Sequence, residues 1–138
     1  MKKKKVSDFL ALFLKEKKIK HIFGIIGSAN AHIFDSITRL NYTKIISVHH
    51  EQAAAMAMQY YYRASGKISA TLVTAGAGSL NPITGVVAAW ADSIPGIIIS
   101  GQESTKNIFK FKKMRMWGVQ GIDSTYMVSK VTKYANRI

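Results

Sequence analysis

Apolar residues recur along the chain with two different periods, which predict where helices and strands lie. Over residues 6–18 the apolar positions follow helical spacing and lysines crowd the last turn, which predicts an amphipathic surface helix. Runs rich in β-branched residues then alternate with further helical segments. The predicted strands are 21–27, 43–48, 67–74 and 95–100, and the predicted helices between them are 29–40, 52–64 and 80–91.

Single residues mark several boundaries of these elements. Ser28 is placed to cap the second helix, Gly66 to end the third, and Pro82 is tolerated near the start of the fourth. Residues 103–121 show no clear period and are predicted to form a long loop. Residues 124–134 are expected to resume regular structure.

Strand and helix alternate at least four times, with short turns between them. Parallel strands need crossover helices, and these helices cover both faces of the sheet. The order therefore predicts an α/β fold, a three-layer sandwich with a parallel central sheet and helices on both faces. The 138 residues fit a single domain spanning residues 1–138.

Composition narrows the class of protein. No apolar run approaches the roughly 18 residues of a membrane span, so no membrane partner is expected. The chain has no cysteine, which excludes a disulfide framework and a thiolate metal site and fits a cytoplasmic location. The lysines at residues 2–5 precede a helical pattern, whereas a secretory signal would continue into an apolar core.

The formal net charge of +13 raises nucleic acid as an alternative partner. Most basic residues are lysines in three stretches, residues 2–5, 15–20 and 106–115. Arginine, which reads bases and forks onto phosphates, is far less frequent. A solvated, lysine-rich surface is the favoured interpretation, and no nucleic-acid partner is expected.

Glu51 is the first candidate for chemistry. It follows a predicted strand and the pair His49 and His50, opens an alanine-rich helix, and is one of only 7 acidic residues. Ligands of parallel α/β sheets bind beyond the carboxyl ends of the strands, so the turn that carries Glu51 would share a rim with the other strand-to-helix turns. A simpler alternative is that an acid in a first helical turn only complements the helix dipole, worth roughly 0.3–1 kcal/mol.

Other kinds of site match the sequence less well. Residues 76–81 follow a strand and open a helix, as in half of a dinucleotide fingerprint, but no acid closes the next strand. A phosphate-binding loop would need Gly-Lys-Ser or Gly-Lys-Thr, and the sequence has neither. His49, His50 and Glu51 lack metal-ligand spacing, because neighbours on a strand end point in different directions. No metal ligand is therefore predicted.

Five short motifs follow one another along the chain. They are Phe23-Gly24-x-x-Gly27, His50-Glu51-Gln52-Ala53-Ala54, Thr74-Ala75-Gly76-x-Gly78-x-x-Asn81, Asp92-Ser93-Ile94-Pro95 and Gly101-Gln102. In this order and spacing they resemble the N-terminal, pyrimidine-binding domain of thiamine diphosphate-dependent enzymes, in particular the acetolactate synthase branch. The likeness extends over residues 6–134, which is nearly the whole chain.

The resemblance implies thiamine diphosphate as the cofactor and gives six residues a role. In this family a glutamate at the position of Glu51 hydrogen-bonds the ring nitrogen of the coenzyme's aminopyrimidine and activates it, so Glu51 would be both catalytic and cofactor-binding. A carboxyl in an apolar, alanine-lined site suits this role, because its charged form is disfavoured and it can share a proton. The other implied cofactor-binding residues are Gly27, Gly76, Gly78 and Asn81, and Gln102 would lie on the substrate side.

The resemblance also implies partners. In the family a second domain holds the diphosphate through magnesium with a Gly-Asp-Gly motif, which this sequence lacks. A diphosphate-binding domain, on the same longer chain or on a separate subunit, would therefore complete the site. The implied substrate is a 2-keto acid, the implied assembly is a homo-oligomer such as a dimer, and the isolated chain would be an inactive part of a transferase or lyase.

Two departures from the family pattern leave an alternative open. Ile26 and Ala77 stand where the family usually has proline, and both changes remove backbone stiffness. The alternative is a non-catalytic interaction module that keeps the fold but has lost cofactor binding.

Overall fold

The computed structural model describes residues 5–110 and 113–138. None of the helices in these two ranges is long and apolar enough to cross a membrane. In chain order the elements are α1 (Val6–Glu16), β1 (His21–Gly24), α2 (Ala31–Leu40), β2 (Lys44–Ser47), α3 (Glu51–Ser65), β3 (Ala70–Val73), α4 (Ala77–Leu80), α5 (Ile83–Ala91), β4 (Ile97–Ser100), α6 (Thr105–Lys110) and α7 (Ser124–Val128).

The four strands form one parallel sheet in the order β2-β1-β3-β4. Phe23 of β1 pairs with Ile46 of β2 on one side and with Thr71 of β3 on the other. All four residues of the inner strand β3 are buried. Because the strands are parallel, their carboxyl ends meet at one edge of the sheet. The turns that follow β1, β2, β3 and β4 lie along this edge and form what we call the rim.

Helices cover both faces of the sheet, which confirms the predicted three-layer sandwich. On one face, α1 and α2 pack against β1 and β3; the buried residues of this core are Ala11, Leu14, Ile19, Ile22, Phe34, Ile37, Ala70 and Leu72. On the other face, Ala54 and Met58 of α3 pack against Phe23. The helix α5 lies so close to α3 that a Cβ added at Gly85 would stand 2.5 Å from the Cβ of Ala55. The alanines that follow Glu51 in the sequence are thus small enough for α5 to pack closely against α3.

A polar contact ties α1 to α2 on the first face. The Ser36 hydroxyl donates to Asp8 Oδ1 at 2.8 Å, and Arg39 Nη2 donates to the same oxygen at 2.7 Å. These bonds, the one from Ser36 foremost, hold the pKa of Asp8 below its ordinary value, because they stabilise the ionised carboxylate.

The strands are shorter than the sequence pattern predicts, but all four lie within the predicted ranges. The third predicted helix is confirmed as α3, and it begins at Glu51, one residue earlier than predicted. Gly66 ends it in the left-handed conformation at φ 65°, as predicted, and a glycine adopts this conformation without the strain of a Cβ.

Three local predictions were wrong. Ser28 does not cap α2; the helix begins after Asn30, whose side-chain Oδ1 accepts the N–H of Gly27 at 2.7 Å. The helix predicted over residues 80–91 begins only at Ile83, as α5, and Pro82, which has no N–H to donate, separates it from the short helix α4 that precedes it. The segment predicted as a loop over residues 103–121 contains the helix α6. Later in the same segment, Trp117 and Gly121 exchange two backbone hydrogen bonds of 2.7 Å.

Candidate functional site

Glu51 lies at the carboxyl edge of the sheet as the first residue of α3. The turn before it stays beside the end of β1, because the N–H of Val48 donates to the carbonyl of Gly24 at 3.1 Å. His50 caps the helix: its Nδ1 accepts the N–H of Gln52 at 3.2 Å. His50 therefore helps to start α3, and the side chain of Glu51 remains half-buried at the rim.

Glu51, Gly78 and Asn81 come together at this rim, although the last two follow a different strand. Asn81 Nδ2 donates to Glu51 Oε2 at 2.8 Å. A Cβ added at Gly78 would stand 3.1 Å from Glu51 Oε1. The amide thus fixes one carboxylate oxygen, and the missing Cβ of the glycine allows its backbone to lie close to the other.

Thr74 fills the space between Gly27 and Gly78. A Cβ at Gly27 would stand 2.6 Å from the Thr74 hydroxyl oxygen, and a Cβ at Gly78 would stand 2.6 Å from the Thr74 methyl carbon. Among residues 5–110 and 113–138 the buried hydroxyl oxygen has no hydrogen-bond partner. Gly27 and Gly78 are therefore brought together through one side chain, at the point where β3 ends.

Gly76 shapes the turn that leads into α4. Its backbone, at φ 65° and ψ −131°, adopts a conformation that residues with a Cβ rarely take, and an added Cβ would collide with Gln120. Its carbonyl accepts the Ser79 hydroxyl at 2.7 Å. Gly76 thus supports the rim through the backbone.

Gln102 lies just beyond β4, and both ends of its amide are engaged. Nε2 donates to the carbonyl of Ile122 at 2.8 Å, and Oε1 accepts the N–H of Glu103 at 2.9 Å. Gln102 lines a cavity of about 640 Å³ that neither Glu51 nor Asn81 lines. The substrate-side role of Gln102 stays a prediction, and in this conformation the side chain supports the chain around Ile122.

In the part of the chain that the structure describes, no three or more histidine or acidic side chains lie close enough together to hold a metal ion. His49 and His50 are exposed at the turn before α3, and the ring of His50 is engaged in the helix cap.

Sequence reasoning gave no role to two residues that organise this rim. Asn30 braces the turn after β1: it accepts from Gly27, and its Nδ2 donates to the carbonyl of Ile25 at 3.0 Å. Thr74 stood inside one of the quoted motifs but was treated only as a strand end. The sequence feature that could have identified Thr74 is a hydroxyl residue directly after a strand whose residues are all buried.

The chain matches a known protein family over most of its length. The match is to the family described as thiamine pyrophosphate enzyme, N-terminal TPP binding domain, and it covers residues 4–127.

Individual relatives are acetolactate synthases. The large subunit from Haemophilus influenzae is 40% identical over 102 residues, which are 74% of this chain and 18% of that protein. The enzyme from Arthrospira platensis is 36% identical over 123 residues, 84% of this chain and 21% of the relative. The large subunit from Lactococcus lactis is 31% identical over 132 residues, 96% and 22% of the two chains. The chain therefore spans about a fifth of the length of these relatives.

Proposed function

Because the chain belongs to the thiamine pyrophosphate enzyme family, as its N-terminal TPP binding domain near the acetolactate synthase branch, we propose that the rim around Glu51 holds the aminopyrimidine ring of thiamine diphosphate. The domain would act within a 2-keto acid decarboxylase or carboligase, a lyase or transferase that resembles acetolactate synthase. The observation that carries the proposal is the Glu51 carboxylate, fixed at one oxygen by Asn81 and left uncrowded at the other by the missing Cβ of Gly78.

The residues present fit an aminopyrimidine ring. A weakly basic ring nitrogen needs a carboxyl group with which it can share a proton, and Glu51 offers one at the edge where parallel α/β sheets bind ligands. Because Gly78 has no Cβ, Oε1 of Glu51 is not crowded from that side. In this proposal Gly27 and Gly76 line the cofactor side through their backbones, and Gln102 lies toward the substrate.

When bound, thiamine diphosphate supplies the carbon nucleophile that adds to a 2-keto acid. Glu51 has the catalytic role: it shares a proton with the ring nitrogen, and this proton is held at Oε1. Asn81 fixes the plane of the carboxyl by donating to Oε2. The start of α3 determines where the carboxyl stands, because Glu51 is its first residue and His50 caps it.

A second domain completes the site in this proposal. The chain spans about a fifth of the length of its relatives. A protein of their length could also carry a domain that binds the diphosphate and magnesium. A separate subunit could supply the same domain. Residues 1–138 would then be a single pyrimidine-binding domain, and the isolated chain would show no turnover.

The proposed assembly is a homo-oligomer in the cytoplasm, without nucleic acid or membrane as a partner. Exposed apolar side chains on two neighbouring helices support an oligomer: Tyr60 on α3 and Val87 and Trp90 on α5. Tyrosine and tryptophan are enriched where subunits meet.

The experiment is an NMR titration of the chain with the free aminopyrimidine fragment of thiamine. We expect the largest shifts at Glu51, Gly78 and Asn81, and we expect Glu51→Gln to abolish them. Glu16→Gln is the matched control, because the Glu16 side chain is 78% exposed on α1. Equal binding by Glu51→Gln and the unmodified chain, or no binding by the folded unmodified chain, would contradict the proposal.

An interaction module without cofactor is the second candidate function. Ile26, whose side chain is 66% exposed next to Gly27, and Ala77 stand where the family usually has proline, and these two departures motivate the second candidate. Fragment titrations that leave the rim unshifted, together with capture of a diphosphate-binding domain, would favour this candidate.

A further inference from the structure

Thr74 carries a hydroxyl group that the fold does not use. Its oxygen is buried and lacks a hydrogen-bond partner throughout the two described ranges. Other buried hydroxyls nearby are satisfied: that of Thr71, on the preceding strand β3, donates to the carbonyl of Ala54 at 3.1 Å, and that of Ser79 donates to the carbonyl of Gly76. Buried polar groups are normally hydrogen-bonded, so the exception at Thr74 needs an explanation.

The two branches of the Thr74 side chain face different glycines. The hydroxyl lies beneath Gly27 and the methyl lies against Gly78. A Cβ added at Gly78 would stand 2.6 Å from this methyl and 3.1 Å from Glu51 Oε1, so the methyl and this carboxylate oxygen lie near the same point. A rotation of about 120° around Cα–Cβ, from one staggered rotamer to another, would bring the hydroxyl to the side of Glu51.

Resting on the proposed function, we propose that Thr74 is a positioning residue of the pyrimidine site, and that its hydroxyl turns to donate a hydrogen bond to Glu51 Oε1 when a ring occupies the rim. In the empty site solvent reaches the half-buried carboxylate. A bound ring excludes that solvent, and a carboxylate oxygen left without a donor would weaken binding. The Thr74 hydroxyl replaces the solvent donor with a charge-assisted bond.

The geometry accommodates both partners of Oε1. A carboxylate oxygen has two lone pairs, so Oε1 can accept from Thr74 while it shares a proton with the ring nitrogen. In the same rotation the hydrogen on Cβ takes the place of the hydroxyl beneath Gly27, and the methyl takes the former place of that hydrogen, so no polar group remains beneath Gly27. Occupation of the rim thus removes the unsatisfied hydroxyl and supplies the missing donor in one step.

Valine has the shape of threonine without the hydroxyl, so Thr74→Val tests this role directly. A side chain that only fills space between Gly27 and Gly78 would be replaced by valine without any change in ligand affinity. Under the proposal, Thr74→Val leaves the urea midpoint of the empty chain unchanged or higher, because it removes a buried hydroxyl without a partner. It weakens binding of the free aminopyrimidine fragment about tenfold, the effect of one lost hydrogen bond.

Two further variants make the outcome unambiguous. Thr74→Ser keeps the hydroxyl and should bind the fragment within about twofold of the unmodified chain. Thr71→Val is the matched control: it removes a buried hydroxyl that has a partner, so it should lower the urea midpoint and leave affinity unchanged.

The measurements are urea unfolding of the empty chain and NMR titration with the fragment for all four proteins. Unchanged affinity in Thr74→Val, or a loss in Thr74→Ser as large as in Thr74→Val, would overturn the inference and leave the proposed function standing. Absence of binding by the folded, unmodified chain would instead overturn the proposed function, and this inference with it.

Discussion

The substitution Glu51→Gln separates a chemical role of this residue from a structural one. Glutamine keeps the volume of glutamate and can still accept the hydrogen bond from Asn81, which is 2.8 Å long in the structure. It cannot share a proton with a ring nitrogen. The fold should therefore tolerate the change, and the proposed chemistry should not.

The expected loss of stability is small. A charge in the first turn of a helix contributes roughly 0.3–1 kcal/mol, and glutamine loses only the charge-assisted part of the bond from an exposed asparagine. A destabilisation of at most about 1 kcal/mol lowers Tm by about 3–5 °C in a domain of this size. General acid–base catalysis contributes about 10²–10⁴ in rate, or about 3–5 kcal/mol of activation free energy. The kinetic effect is thus several times larger than the effect on stability.

The assay is carboligase activity of the chain joined to a diphosphate-binding domain, with thermal unfolding of the same samples. We expect activity to fall at least about a hundredfold in Glu51→Gln, with a Tm shift within the range above. Glu16→Gln should change neither quantity, because its side chain is exposed at the end of α1. A Glu51→Gln enzyme that keeps most of its rate, or that loses rate only in proportion to its unfolded fraction, would return Glu51 to the role of a helix-start acid.

Two further predictions concern the rim and the pH dependence of stability. Gly78→Ala should destabilise the chain by about 1–3 kcal/mol and abolish fragment binding, because the new Cβ would stand 2.6 Å from the Thr74 methyl and 3.1 Å from Glu51 Oε1. Urea unfolding and the NMR titration measure these two effects. Wild-type affinity in this variant would show that the rim is wider than described. The pKa of Asp8 is lowered in the fold, chiefly by the bond from Ser36, so its contribution to stability is present above the ordinary value of 3.8 and is lost as pH falls through the lower, folded value. Urea midpoints of Asp8→Asn and the unmodified chain should therefore differ near neutral pH and converge in strong acid, and a constant difference at all pH values would contradict this linkage.

Local sequence patterns were sufficient to predict the parallel, three-layer fold. The spacing of apolar residues located all four strands and most of the helices, since this spacing is set by residues that are close together in the sequence. The end of α3 was predictable for the same reason: Gly66 is placed where a chain must turn left-handed. The motif spacing around Glu51 also pointed to the rim before any contact was known.

Where two local signals competed, the pattern alone did not decide. The apolar run over residues 80–91 suggested one helix from its first residue, but Pro82, which has no N–H to donate, separates α5 from the short helix α4 before it. Ser28 is a good cap by residue type, yet Asn30 reaches both Gly27 and Ile25 and determines where α2 begins. The helix α6 was hidden in a segment whose lysines and methionines show no period.

The alternation of strands and helices follows from the order of residues, and so does the edge of the sheet at which Glu51 stands. Which side chains meet at that edge depends on how distant segments pack. Asn81 reaches Glu51, and Thr74 lies between Gly27 and Gly78, because parallel pairing of β1 with β3 brings turns from distant parts of the chain to one place. The unused hydroxyl of Thr74 follows from that packing, since whether a buried donor finds an acceptor depends on every segment around it, and no local pattern records this.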